Sequence, residues 1–154
     1  MKKGLQIFIF LGVLLLIAAC SNGGSITADD VISKLNAASV EAENPEKVTQ
    51  DSTIKLNPED GEIVRFKIPS MNGSSISEGS GENGLVYKDA PSGHVFILKN
   101  NDDLVELQKF YEEMGQTSEM FRSWTYVKDN MLLQMPGGVT EEQFNEYKKV
   151  IDSI

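Results

Sequence analysis

The chain holds one cysteine, Cys20, one histidine, His94, and one tryptophan, Trp124, in 154 residues, and only Arg65 and Arg122 of its 14 basic residues are arginine. Each shortage closes a route. A single cysteine forms no internal disulfide, so stability has to come from an apolar core. A single histidine removes the His/Cys ligand sets that zinc sites use. Any Ser-His mechanism would have to pass through His94, and no nucleophile elbow surrounds Ser92-Gly93-His94. Positive charge is short as well: 23 acids against 14 bases leave a formal net charge of −9. Nucleic acid is held by Lys and Arg neutralising phosphates, so this balance speaks against a nucleic-acid partner. It speaks equally against adhesion of the domain itself to anionic lipid.

What the chain does have begins at its N-terminus. Lys2 and Lys3 precede Leu5 to Ala18, a 14-residue stretch interrupted only by Gln6 and Gly12. At a rise of about 1.5 Å per residue it falls short of the roughly 20 residues that cross a hydrocarbon core, and it has the pattern of a signal peptide. Ile17-Ala18-Ala19-Cys20 closes it and resembles the lipobox of bacterial lipoproteins. The resemblance implies cleavage between Ala19 and Cys20, a diacylglyceryl group on the Cys20 sulfur, and residence at the extracytoplasmic face of the cell membrane. Two acyl chains hold far better than one, at about 0.8 kcal/mol per buried CH₂. Loss of Lys2 and Lys3 would make the remaining chain more acidic by two charges. Lysine bias together with a lipobox leans toward a Firmicutes-type host; in a Gram-negative host, Ser21 would resemble a signal permitting outer-membrane sorting.

The expected division is a signal peptide over residues 1–19, a lipidated cysteine and flexible tether over 20–26, and one domain over 27–154. Ser21-Asn22-Gly23-Gly24-Ser25 is small and polar, as a tether should be. Thr27 with Asp30 three residues on predicts a helix start, and Val31, Ile32, Leu35 and Ala38 give it an apolar face. Residues 41–61 read as a long polar connection, with Thr53 to Leu56 as an optional strand. Val64, Phe66 and Ile68 alternate with Arg65 and Lys67, a half-buried strand. Residues 69–84 are rich in glycine and serine and predict a mobile loop. They lack the Gly-Lys-Ser ending and following helix of a phosphate loop.

Leu85 to Tyr87 and His94 to Leu98 read as strands. Asn100 or Asn101 opens a helix with the stripe Leu104, Leu107, Phe110, Tyr111 and Met114, which Gly115 should end. Phe121 to Lys128 and Met131 to Met135 form a hairpin about Asp129-Asn130. Thr140 and Gln143 form a capping box for a last helix whose apolar face is Phe144, Tyr147, Val150 or Ile151, and Ile154. These elements predict an α+β domain: a mostly antiparallel sheet of about 4–5 strands with about three helices on one face, a two-layer sandwich.

Phe121 to Asn130, with the helix from Asp103 to Gly115 before it, resembles a group of small Firmicutes lipoproteins labelled hypothetical or, loosely, stress proteins. The likeness runs from about His94 to the end and implies fold and compartment, with no activity attached. No catalytic constellation is legible. A lone histidine opening a strand reads as an edge residue. Asn100-Asn101-Asp102-Asp103 lacks the glycine and terminal glutamate of a calcium loop, and helix capping accounts for it. The adjacent pairs Glu112-Glu113 and Glu141-Glu142 diverge by about 100° around their helices. No metal and no cofactor is expected.

Trp124 and Tyr126 share one strand face and are the candidate binding residues. If that face is open it is an aromatic platform for a peptide, glycan or protein; if helices cover it, it is core, the preferred outcome. The expected function is a lipid-anchored, non-enzymatic module that binds an envelope protein as adaptor, inhibitor or exclusion factor. The alternative is a receptor for a small molecule or glycan with residues 69–84 as a lid, and an enzyme ranks third.

Overall fold

A computed structural model describes residues 26–49, 59–71, 75–76, 85–86 and 91–154. The signal peptide, Ala19, Cys20, nearly all of the tether and the optional strand at Thr53 to Leu56 lie outside these residues. The elements, in chain order, are α1 (Ala28–Ala37), β1 (Glu43–Lys47), β2 (Gly61–Lys67), a 3₁₀ turn (Pro69–Met71), β3 (Ser75–Ile76) and β4 (Leu85–Val86). They continue with β5 (Ser92–Leu98), α2 (Asn101–Thr117), a second 3₁₀ turn (Glu119–Phe121), β6 (Ser123–Lys128), β7 (Met131–Pro136) and α3 (Glu141–Asp152). The fold is α+β. Five strands form one antiparallel sheet in the order β1-β2-β5-β7-β6, and β3 pairs with β4 separately.

Register assigns every strand residue to a face. Val64 pairs with Val95, Val95 with Leu133 and Tyr126 with Leu133, so these four share one face. Phe66, Ile97, Met131, Met135 and Trp124 join them by the two-residue period of a strand. This face packs under α1, through Val31, Ile32 and Leu35, and under α3, through Phe144, Tyr147 and Ile151. The opposite face carries Ile63, Phe96, Leu98, Leu132 and Val127, and its cover is α2, through Leu104, Leu107, Phe110 and Tyr111. Helices therefore sit on both faces, two on one and one on the other. The two-layer expectation fails at α2, because amphipathic spacing fixes which side of a helix is apolar and says nothing about which side of a sheet will receive it.

Local sequence explains the helix ends. Thr27 and Asp30 form a reciprocal capping box, and Thr140 and Gln143 form a second. The Asp30 carboxyl, which accepts from the Thr27 hydroxyl and main chain, is held below the usual carboxylate range. Asn100 caps α2 by accepting from the Asp102 N–H at 3.0 Å. Gly115 does not end α2, which runs on to Thr117. Its role is clearance: a Cβ there would lie 3.3 Å from the Arg122 Cα, and one on Gly137 would lie 2.9 Å from the Arg122 Cβ. Two glycines thus admit the chain that feeds β6.

Three other expectations are revised. Residues 41–61 are not all connection, because Glu43–Lys47 pairs with β2 as an edge strand. The expected mobile loop begins with an ordered turn, since Pro69–Met71 is 3₁₀ and Met71 is buried in the α1/α3 core. Ala38 is exposed as the C-cap of α1 rather than part of its apolar face.

Candidate functional site

Trp124 and Tyr126 lie on the face under α3, each half-buried. The Trp124 indole stacks on Phe144 with ring centroids 5.3 Å apart and donates its N–H to the Val139 carbonyl at 2.7 Å. Tyr126 donates its hydroxyl to Asp152, and the Lys148 ammonium sits 4.9 Å from its ring centroid. The hydrogen bond to Asp152 raises the Tyr126 hydroxyl above the usual tyrosine range. Lys128 donates to the carbonyls of Ile151 and Asp152, both at 3.0 Å, which satisfies the C-terminal end of α3. The two candidate residues are thereby spent on fastening α3 to β6, and their outer rims alone remain at the surface.

The other sheet face has a half that α2 does not line. Across it runs a row of polar side chains in register: Glu46 opposite Arg65, Arg65 opposite His94, His94 opposite Gln134 and Gln134 opposite Thr125. His94 is in the middle strand of five, not at an edge as expected, and it stacks on Phe96 at 5.9 Å. Its Nδ1 lies 2.7 Å from Gln134 Oε1, and Gln134 Nε2 donates to Ser123 Oγ at 3.0 Å. Gln134 is only 6% exposed, the one polar residue among the buried ones of the described residues, and both ends of its amide are used. Arg65 pairs with Glu46 at 2.6 Å and holds that carboxyl below its ordinary range.

A cavity of about 140 Å³ lies between the end of α1, the first 3₁₀ turn and α3, lined by Glu41, Ser70, Gln143, Glu146 and Tyr147 among others. Tyr147 donates its hydroxyl to the Glu41 carbonyl at 2.7 Å, and the Glu41 carboxylate accepts from the Ser70 N–H at 2.9 Å. Burial, with Glu41 and Glu146 nearby, pushes the Tyr147 hydroxyl well above the tyrosine range. Among the described residues no group of three or more His, Cys, Asp or Glu is placed to hold a metal ion. No helix of these residues is long and apolar enough to cross a membrane.

Main-chain groups tell more than side chains. The two-residue turn at Asp129-Asn130 makes Lys128 and Met131 a hydrogen-bonded pair, and alternation makes Tyr126–Leu133 and Trp124–Met135 bonded pairs too. Asn130, Leu132 and Gln134 face β5, as the bond from the Leu98 N–H to the Asn130 carbonyl at 2.9 Å attests. Ser123, Thr125 and Val127 accordingly aim their N–H and C=O groups away from the sheet, at its β6 edge. No described residue pairs with them through the main chain.

The β1 edge is different. It contains Pro45, a register shift between Glu43 and Glu46, Asn44 at φ 48°, and five exposed residues. Proline, a bulge and charge are the devices that prevent strand addition. β6 has none of them except its terminal Lys128, and it keeps a continuous register over six residues. Sequence reading missed this edge because edge position is decided by long-range pairing.

No protein-family model, curated protein or solved structure matches the chain.

Proposed function

We propose that this chain is held at the extracytoplasmic face of the cell membrane by a diacylglyceryl anchor on Cys20, and that its domain is a protein-binding module without catalytic chemistry. Adaptor, inhibitor and exclusion factor are the roles open to such a module. The observation that carries the reading is the β6 edge, which no described residue pairs through the main chain, at the opposite end of the sheet from a blunted β1 edge. Edge strands that present main-chain groups recognise extended protein segments by strand addition. In the polar row His94, Gln134 and Ser123 bond to one another, and at the smaller cavity Tyr147 bonds to the Glu41 main chain.

The test is a photo-crosslinking residue at position 125 in the full-length chain, tagged at its C-terminus, in intact cells. A discrete protein adduct is expected, absent when the same residue replaces the buried Leu132. No adduct at position 125 would overturn the reading. A receptor for a small molecule or glycan is the second reading, favoured by the Arg65–His94–Gln134 row. It instead predicts a ligand-dependent rise in thermal midpoint that Arg65→Ala abolishes.

A further inference from the structure

Three outward residues at strand spacing are matched by another strand presenting the same alternation. Resting on the reading of the domain as a protein-binding module, we infer that the strand added to β6 is β6 of a second copy of this chain, antiparallel, with the two-fold axis at Thr125. Among antiparallel registers this one uses all three outward residues. Ser123 meets the partner's Val127, Val127 meets the partner's Ser123, and Thr125 meets the partner's Thr125. Each bonded pair exchanges two hydrogen bonds, so every outward donor and acceptor is satisfied.

Side chains agree with the register. Trp124 falls opposite the partner's Tyr126, and the symmetry repeats the pair; each ring keeps its own bond to the α3 side, so the contact is between outer rims only. Arg122 comes opposite the partner's Lys128, a like-charge pair that opposes the contact; Arg122 is paired with Glu119 at 3.4 Å, and Lys128 donates to the carbonyls and negative dipole end of α3. The net negative charge of each copy, −9 for the whole sequence and two more negative once Lys2 and Lys3 are removed, opposes association, yet beyond about 8 Å it is screened at physiological ionic strength. Added salt therefore strengthens this dimer.

Edge asymmetry also sets the assembly size. Joining two β6 edges leaves a β1 edge at each end of a ten-stranded sheet. Pro45 and the bulge stop further addition there, so the assembly closes as a pair instead of growing as a fibre. Anchoring on one membrane surface raises the effective concentration of copies, which suits a contact as narrow as one strand.

The experiment is cysteine crosslinking of the full-length chain in membranes. In the proposed register the two Thr125 Cα atoms lie about 5.5 Å apart, within disulfide range. Thr125→Cys should therefore give an oxidised homodimer on a non-reducing gel. Ser123→Cys alone should give none, while chains carrying Ser123→Cys and Val127→Cys crosslink when expressed together. The parent chain, with Cys20 alone, sets the background. The 123/127 pair leaves Thr125 in place, so a folding defect in Thr125→Cys does not decide the outcome. Adding Thr125→Pro to that pair removes an outward N–H without touching the β7 ladder and should lower crosslinking about tenfold.

Equal crosslinking of Ser123→Cys and Thr125→Cys above background would mean random collision and overturn the register. A Thr125→Cys adduct with a different protein would overturn the second copy as occupant while leaving β6 as a protein-binding edge. No adduct of either kind would overturn both.

Discussion

At the scale of single residues, the core depends on one side chain being missing. Phe66 is fully buried, and its ring lies over Gly93, its cross-strand partner. A Cβ on Gly93 would meet the Phe66 ring and lie 2.8 Å from Met135 Sδ. Gly93→Ala should cost about 1–3 kcal/mol, the range for overpacking a filled core, read as a lower urea midpoint with unchanged slope. Tyr147, stacked on Phe66 at 6.2 Å, gives the fold a pH limit. Its hydroxyl is raised by burial first and by Glu41 and Glu146 second, whereas in the unfolded chain it ionises near pH 10. The folded state thus keeps a proton that the unfolded state releases. This stability is complete below about pH 10 and declines above it, by up to about 1.4 kcal/mol per pH unit until the buried hydroxyl ionises. Urea midpoints measured from pH 8 to 11 should fall more steeply for the parent than for Tyr147→Phe. That variant starts lower, having lost the bond to the Glu41 carbonyl.

At the scale of elements, α3 is fixed at both ends by short-range chemistry. Thr140 and Gln143 cap its start, and Lys128 and Tyr126 hold its finish from the neighbouring hairpin. Thr140→Ala should cost about 1 kcal/mol and speed amide exchange in the first turn of α3 while leaving α1 unchanged. Elements with such signals were legible in sequence. Both capping boxes, the Asp129-Asn130 turn and the alternation of Val64 and Phe66 correspond to structure with boundaries shifted by a residue or two. β1 was not legible, because Glu43-Asn44-Pro45-Glu46-Lys47 holds no apolar residue, and only its bonds to β2 make it a strand. The side of the sheet that α2 covers was hidden for a related reason. Leu104 and Leu107 need an apolar face, and Ile63, Phe96, Leu98 and Leu132 supply one that becomes a face only when three separate strands are in register. Trp124 and Tyr126 were legible as a pair on one face, and their cover by α3 was the outcome preferred from sequence. The β6 edge could not be read at all, since what marks it is the lack of a paired strand among the described residues.

At the scale of the whole molecule, the first described helix begins at Ala28, eight positions after Cys20, and packs directly into the core through Ala28 and Val31. A lipid on Cys20 would therefore be joined to a rigid body by the short polar run from Ser21 to Ser25 with little slack: eight extended residues span at most about 29 Å. Such a tether keeps the sheet edge within reach of partners on the same surface and out of reach of partners much farther away. Cys20→Ser tests the proposed anchor while leaving every described residue unchanged. In that variant, labelled fatty acid should no longer attach, and the chain should persist as uncut precursor or leave the membrane fraction. If Cys20 serves as anchor alone, the variant's thermal midpoint, measured on solubilised protein, should match the parent's within about 0.5 kcal/mol of stability. Fatty acid still bound to Cys20→Ser would place the anchor elsewhere. A large loss of stability would instead make the N-terminal segment part of the fold.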